Sequence, residues 1–251
     1  MTGCGRGPHR VAIAPQYFGD HEAVPDSLTN VPLEYFDAAV DWLTSKQAAD
    51  DGGVGVWGAS RGGELALLHG AHYDWPVAVV SRNGSSVAWN SGVERTMSSW
   101  SLDGEPIPHL EGSLSRREFS DDGAYVYREV FAAPYENADE ATLEAATIPV
   151  EDIDAPTLLV AGEEDKLWPS ATLAEHAAGR LRDHDVDFEF AAESYADAGH
   201  YIVPPYRPSH GMRYGRNGAW LTGGTPAGNA AAAADAWPKV LDCFERGLGG
   251  E

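Results

Sequence analysis

The residues from Val54 to Leu68 narrow the possible folds more than any other stretch of the chain. A short apolar run, Val54 to Trp57, ends in Gly58-Ala59-Ser60-Arg61-Gly62 and passes at once into the helix-forming series Gly63-Glu64-Leu65-Ala66-Leu67-Leu68. Strand, sharp turn and helix in that order, with Gly-x-Ser-x-Gly at the turn, is the pattern of a nucleophile elbow, which lifts a serine hydroxyl clear of a sheet. Ser60 is therefore the candidate nucleophile. So tight a turn strains the serine backbone, and side chains at both 58 and 62 are expected to collide with the neighbouring strand or helix. The competing reading is a glycine-rich strand-to-helix turn with an idle serine, so the case depends on finding partners for Ser60.

The rest of the chain supplies alternating strands and helices. Val11 to Pro15 is an apolar run bounded by polar residues and reads as a buried strand. Asn30 is positioned to cap a helix over roughly Val31 to Ser45, with Pro32 in its first turn and Leu33, Phe36, Val40 and Leu43 on one face. Val77 to Ser81 and Thr157 to Ala161 are further apolar strands. Ser170 is expected to cap a helix whose Leu173, Ala177 and Leu181 share a face, and Asp187 to Ala191 alternates weakly as the expected last strand. After Gly199-His200 the prolines and arginines read as loop. A final helix carries Trp237, Leu241, Phe244 and Leu248 as its stripe, with Pro238 marking a start near Asp235 or a kink.

Such alternation predicts an α/β fold with a mostly parallel, doubly wound sheet, in a single domain over residues 1–251. Between Gly84 and about Pro149 the pattern loosens around Trp89, Trp100, Tyr125, Tyr127, Phe131 and Tyr135. A structureless loop of that length is rare in a compact domain, so residues 84–149 are expected to form a partly helical, lid-like insertion.

A serine hydroxyl needs a base, and the base needs an acid to fix its tautomer. In the α/β-hydrolase arrangement the acid follows a later strand and the histidine a loop after the last one. Asp165 and His200 meet both conditions. Glu163 and Glu164 stay open as alternatives for the acid and His210 for the base, whereas His69, His72, His176 and His184 fall on or near helices, where packed or solvated imidazoles are the rule.

Composition limits the partners. The chain has 39 acidic against 17 basic residues, a formal net charge of −22, and its only lysines are Lys46, Lys166 and Lys239. That surface repels nucleic acid and anionic membranes, and it fits a halophilic protein adapted to a high-salt cytoplasm. No apolar run reaches the roughly 18–20 residues of a membrane span, and Met1 to Arg10 lacks the apolar core of a secretory signal; a cytoplasmic location is the expectation. Cys4 and Cys243, without C-x-x-C spacing, imply neither a disulfide framework nor a metal site, and no cofactor is expected.

Several separated motifs then carry a family resemblance. Val31-Pro32-Leu33-Glu34-Tyr35-Phe36, Gly55 to Leu67, Ser81-Arg82-Asn83-Gly84-Ser85, Leu158 to Ser170, and Ala198-Gly199-His200-Tyr201-Ile202 with Pro204-Pro205 resemble the C-terminal domain of acyl-CoA thioesterases and bile acid-CoA:amino acid N-acyltransferases. The resemblance covers the chain from Val11 onward. It implies an α/β-hydrolase fold, a Ser60, His200 and Asp165 triad, an oxyanion donor in the Arg61 N–H, and hydrolysis of an acyl thioester through an acyl-enzyme. The acyltransferase branch carries cysteine as nucleophile; Ser60 points to the thioesterase branch.

Two features cut against that assignment. Val11 to Pro15 resembles the fourth strand of the hydrolase sheet, so the first three strands, and with them the usual second oxyanion donor, are expected to be missing; either the start is truncated or misassigned, or Val11 to Pro15 pairs directly with the elbow strand. A truncated or non-catalytic relative is then one alternative, and an open edge invites a homodimer. Coenzyme A phosphates also meet an acidic surface. Arg207, Arg213 and Arg216 are the candidate basic patch for them, and a carboxylesterase or lactone hydrolase is the other alternative.

Overall fold

The structure is a computed structural model that describes residues 11–22, 24–46, 53–92, 96–205, 207–215 and 218–249. In chain order its elements are β1 (Val31–Pro32), α1 (Asp37–Thr44), β2 (Val54–Ala59), α2 (Arg61–His72), β3 (Pro76–Arg82), β4 (Trp100–Leu102), β5 (Glu105–Pro106), β6 (Glu118–Phe119), β7 (Tyr125–Val126), α3 (Arg128–Asn137) and α4 (Glu140–Ala146), followed by β8 (Thr157–Gly162), α5 (Ser170–Asp183), β9 (Phe190–Tyr195), β10 (Met212–Gly215), β11 (Gly218–Leu221) and α6 (Pro226–Leu248). The central sheet has the order β2-β3-β8-β9 and every pairing in it is parallel.

Alternation along the strands sorts side chains between two cores. Val79 and Leu159 face one side, where they meet Leu65 to Leu68 of α2 and Ala177, Ala178 and Leu181 of α5. Ala78, Val80, Leu158 and Val160 face the other and pack on Ala232, Ala233, Ala236, Val240 and Cys243 of α6. Helices thus cover both faces of a parallel sheet, as its apolar strands require. Cys243 is buried against the carbonyls of Val79 and Pro156, and burial pushes its thiol up to about 11. Cys4 lies outside the described residues.

Several expectations need correction. Val11 to Pro15 forms no strand: Val11 and Ile13 are exposed, and β2 is the terminal strand of its sheet among the described residues, so this run does not pair with the elbow strand. Asn30 does not cap a helix. Its φ is +45°, its N–H donates to Ser98 C=O, and Val31–Pro32 pairs with Trp100–Ser101 before a 3-10 turn, Leu33–Phe36, leads into α1. The strand expected at Asp187 to Ala191 begins at Phe190, and it is not the last, because the loop read after His200 contains the β10–β11 hairpin.

The final helix starts at Pro226 rather than near Asp235. Thr225 caps it, its Oγ1 accepting from Gly228 N–H at 2.9 Å, and Pro238 is carried inside it. Its buried stripe is the alanine-rich one already given. Leu241 is exposed and Trp237 and Phe244 are half-buried.

Residues 84–149 hold α3, α4 and four short strands. They are joined to the chain on both sides, for β4 pairs with β1 and β7 with β11. Trp89, Leu110 and Trp168 are buried in one cluster with Leu173 of α5, and Trp100 is buried in the core beside α2.

Candidate active site

All four loops that matter leave the carboxyl ends of the central strands, a consequence of parallel pairing. At the end of β2, Ser60 sits at φ 57° and ψ −124°, strained for a residue with a side chain. Its N–H donates to Arg82 C=O at 3.0 Å and its own C=O accepts from the N–H groups of Gly63 and Glu64. The chain therefore turns straight into α2. The Arg61 and Gly62 N–H groups make no hydrogen bond among the described residues, and they stand at the positive end of the helix dipole.

The two flanking glycines differ. A Cβ on Gly58 would sit 1.7 Å from Gly62 C=O, whereas one on Gly62 would meet nothing within 4 Å. The expected collision thus holds at 58 and fails at 62. Gly58→Ala is predicted to yield no folded protein, while Gly62→Ala should leave the thermal midpoint unchanged or raise it, alanine being favoured over glycine in a helix by up to about 1 kcal/mol. Thermal unfolding of both variants checks this.

Asp165 lies beyond β8 and His200 beyond β9, and the structure brings them together: His200 Nδ1 is 2.6 Å from Asp165 Oδ2, with both residues buried. A carboxylate at that distance accepts a hydrogen bond from Nδ1–H, which leaves Nε2 as the lone-pair nitrogen. Asp165 is itself held on every side. Its Oδ1 accepts from the N–H groups of Leu167 (2.7 Å) and Trp168 (3.0 Å), and its Oδ2 also accepts from Asn83 Nδ2 (3.3 Å) and the Ser170 hydroxyl. Ser170 begins α5 without capping it, because its hydroxyl is committed to Asp165.

Ser60 shares the carboxyl edge with this pair, but its Oγ makes no hydrogen bond to His200 or to any other described residue. The connection runs through β3. Arg82 C=O takes the Ser60 N–H, and the next residue, Asn83, donates both to Asp165 and to Gly199 C=O (2.9 Å).

A second brace is Thr222-Gly223-Gly224-Thr225. His200 N–H donates to Thr222 C=O at 2.7 Å, Gly223 pairs with Asp165, and Gly224 pairs with Ala198. Both glycines have positive φ, and a Cβ on Gly223 would lie 1.8 Å from Glu164 C=O. The polarity pattern does not mark this segment. The Gly-Gly pair followed by Thr-Pro was its available signal, a left-handed turn ahead of a capped helix.

The competing residues are engaged elsewhere. Glu163 accepts from Ser194 Oγ and Glu164 faces Lys166 at the surface. His210 stacks on Tyr201 with ring centroids 4.5 Å apart. His69 is enclosed by Phe36, Tyr73 and Trp75, and burial lowers its pKa to about 4, so it is neutral packing. His176 Nδ1 is paired with Ser86 Oγ, and His184 ends α5. Arg207 is exposed and Arg213 lies over the Tyr201 ring at 4.7 Å, while Arg216 lies outside the described residues.

One residue pair has no signature in the sequence pattern. Glu64, on the first turn of α2, is completely buried and accepts from Trp89 N–H (3.0 Å), Trp100 Nε1 (2.8 Å) and Arg61 Nη1 (3.0 Å). Burial raises its pKa, and Arg61 and the two tryptophan donors oppose that rise. The held guanidinium donates to Asn90 C=O and lies 5.3 Å from the Trp168 ring, which in turn is 6.2 Å from the His200 ring. The elbow and His200 thus share a wall.

A mixed α/β chain with a mostly parallel sheet, a strained elbow serine and a carboxylate-bound histidine on its carboxyl edge defines the class of structure. Residues 31–250 match the family described as BAAT / Acyl-CoA thioester hydrolase C terminal, and the chain belongs to that family. It is 32% identical over 250 residues to acyl-coenzyme A thioesterase 1 of Homo sapiens and 31% identical over 250 residues to the mitochondrial acyl-coenzyme A thioesterase 2 of the same species. Each comparison covers 98% of this chain but 55% and 48% of those proteins, so the chain spans about half their length. A solved acylaminoacyl peptidase of Pyrococcus horikoshii overlaps 87% of this chain and 28% of its own at 17% identity, with a TM-score of 0.48.

Proposed function

We propose that the protein is an α/β-hydrolase that cleaves acyl thioesters of the acyl-CoA type through an acyl-enzyme on Ser60. The observation that carries this reading is the 2.6 Å contact between His200 and a buried, fully hydrogen-bonded Asp165, on the edge where Ser60 is presented. His200 Nε2 takes the Ser60 proton as Oγ attacks the acyl carbonyl. The oxyanion is met by the unused N–H of Arg61, with that of Gly62 beside it at the helix terminus. The thiol leaves with the proton from His200, and water, activated by the same imidazole, releases the acid. Because Ser60 Oγ is not yet bonded to His200, a rotation of the serine side chain completes the triad when substrate binds.

Family membership and the names of the relatives support a thioester substrate. The net charge of −22 opposes a polyanionic leaving group at low salt, which keeps a carboxylic ester as the second reading. A fluorophosphonate probe is expected to label the protein at Ser60, located by peptide mass; no labelling would identify a non-catalytic relative. In molar salt, hydrolysis of an acyl-CoA is expected to outpace that of an aryl ester of equal acyl length, and dilution of the salt should depress the acyl-CoA rate selectively. A faster aryl ester under both conditions would assign the carboxylesterase reading.

A further inference from the structure

Beside β2 the structure leaves a cavity of about 590 Å³, walled by Ile13, Tyr17, Leu43, Val56 and Leu65 among others and reaching Gly58, Ala59 and Gly62 around the elbow. That volume falls within the range of small-molecule sites, and the lining is almost wholly apolar. Among the lining residues Arg82 alone is charged, beside the polar atoms of Tyr17, His69 and Trp75. The Arg82 side chain stands on the last residue of β3, and the guanidinium lies 6.0 Å from the ring of Trp57 on β2. Nε and Nη1 are closed off from solvent and have no hydrogen-bond partner among the described residues; the charge of Asp165 acts on the group without a hydrogen bond between them. A guanidinium so placed is costly unless something accepts its hydrogen bonds. Burial lowers its pKa only to about 10, so it is cationic at neutral pH.

We infer that this groove binds an aliphatic carboxylate, its chain lying along the apolar wall beside β2 and its carboxylate on Arg82. The charge argues for that occupant. A guanidinium at one end of an apolar groove matches an amphiphile with one anionic end, and a charge-assisted hydrogen bond to a carboxylate is stronger than a neutral one. Arg82 is also tied to the elbow, because its C=O holds the Ser60 N–H at 3.0 Å.

Laurate, titrated into the full chain by calorimetry in molar salt, is the test. A partly buried ion pair survives that salt better than one at the surface. Since laurate is not turned over, the result is independent of whether Ser60 is a nucleophile. Laurate is expected to bind the unmodified protein roughly 10- to 100-fold more tightly than dodecanol, the loss that follows from removing a hydrogen bond to a charged group. Arg82→Gln, checked for folding by its thermal midpoint, should erase that preference and leave dodecanol binding in place. Equal affinity for laurate and dodecanol in the unmodified protein, or an unchanged preference in Arg82→Gln, would overturn the inference. So would a stable dimer in sedimentation that laurate neither binds nor dissociates, which would give the groove to a second copy.

Discussion

Replacing Ser60 with alanine is expected to lower kcat/KM for an acyl thioester by about 10³- to 10⁶-fold, the range set by losing a nucleophile while oxyanion donors and binding groups remain. The variant should fold as the parent does, because Ser60 Oγ bonds nothing among the described residues and alanine accepts the same backbone with the same strain. Glycine separates the two properties. At φ 57° and ψ −124° a side chain costs about 1–3 kcal/mol that glycine avoids, offset in part by glycine's greater freedom when unfolded. Ser60→Gly should therefore be as inactive as Ser60→Ala and melt higher than it. Steady-state kinetics with thermal unfolding on the same preparations reads both effects, and a Ser60→Ala protein with full activity would end the acyl-enzyme mechanism.

The parts of the site legible in the sequence are those set by short-range sterics and chemistry. The elbow announces itself because a strand, a tight turn and a helix must follow one another within fifteen residues, and Asp165 and His200 lie where parallel strands deliver their loops. Legibility failed where tertiary contacts decide. Val11 to Pro15 has the composition of a strand, but strand formation needs a neighbour, and β2 offers its edge without pairing to it. Strand β9 was displaced by a few residues because it alternates between half-buried and exposed positions and carries little apolar contrast. The start of α6 was missed because an alanine run has no periodicity to detect, although Thr225 and Pro226 mark its beginning. The Gly223-Gly224 brace and the buried Glu64 are invisible to pattern reading for a common reason: each makes sense only once segments far apart in the chain have met.

Among side-chain removals, Glu64 gives the largest expected effect on stability. A glutamate in the first turn of a helix is ordinarily solvated and favourable to the dipole, but this one is fully buried with three donors aimed at it. In Glu64→Ala the Arg61 guanidinium loses its carboxylate, Trp100 Nε1 and Trp89 N–H lose their acceptor, and a cavity opens beside Leu65. Breaking one side of a buried ion pair costs about 3–5 kcal/mol, a large share of the total stability of a domain. Glu64→Gln should lose less, since its carbonyl can still accept from both tryptophans. The pH dependence separates charge from packing. Burial raises the folded pKa of Glu64 above its unfolded value, so across that window the folded protein binds the extra proton and the parent's stability falls as pH rises through the folded pKa. Neither variant carries a proton there, and both should lack that component of the slope. Chemical denaturation of the three proteins at several pH values tests the assignment, and identical slopes would show that the buried Glu64 carboxylate is not the group being titrated.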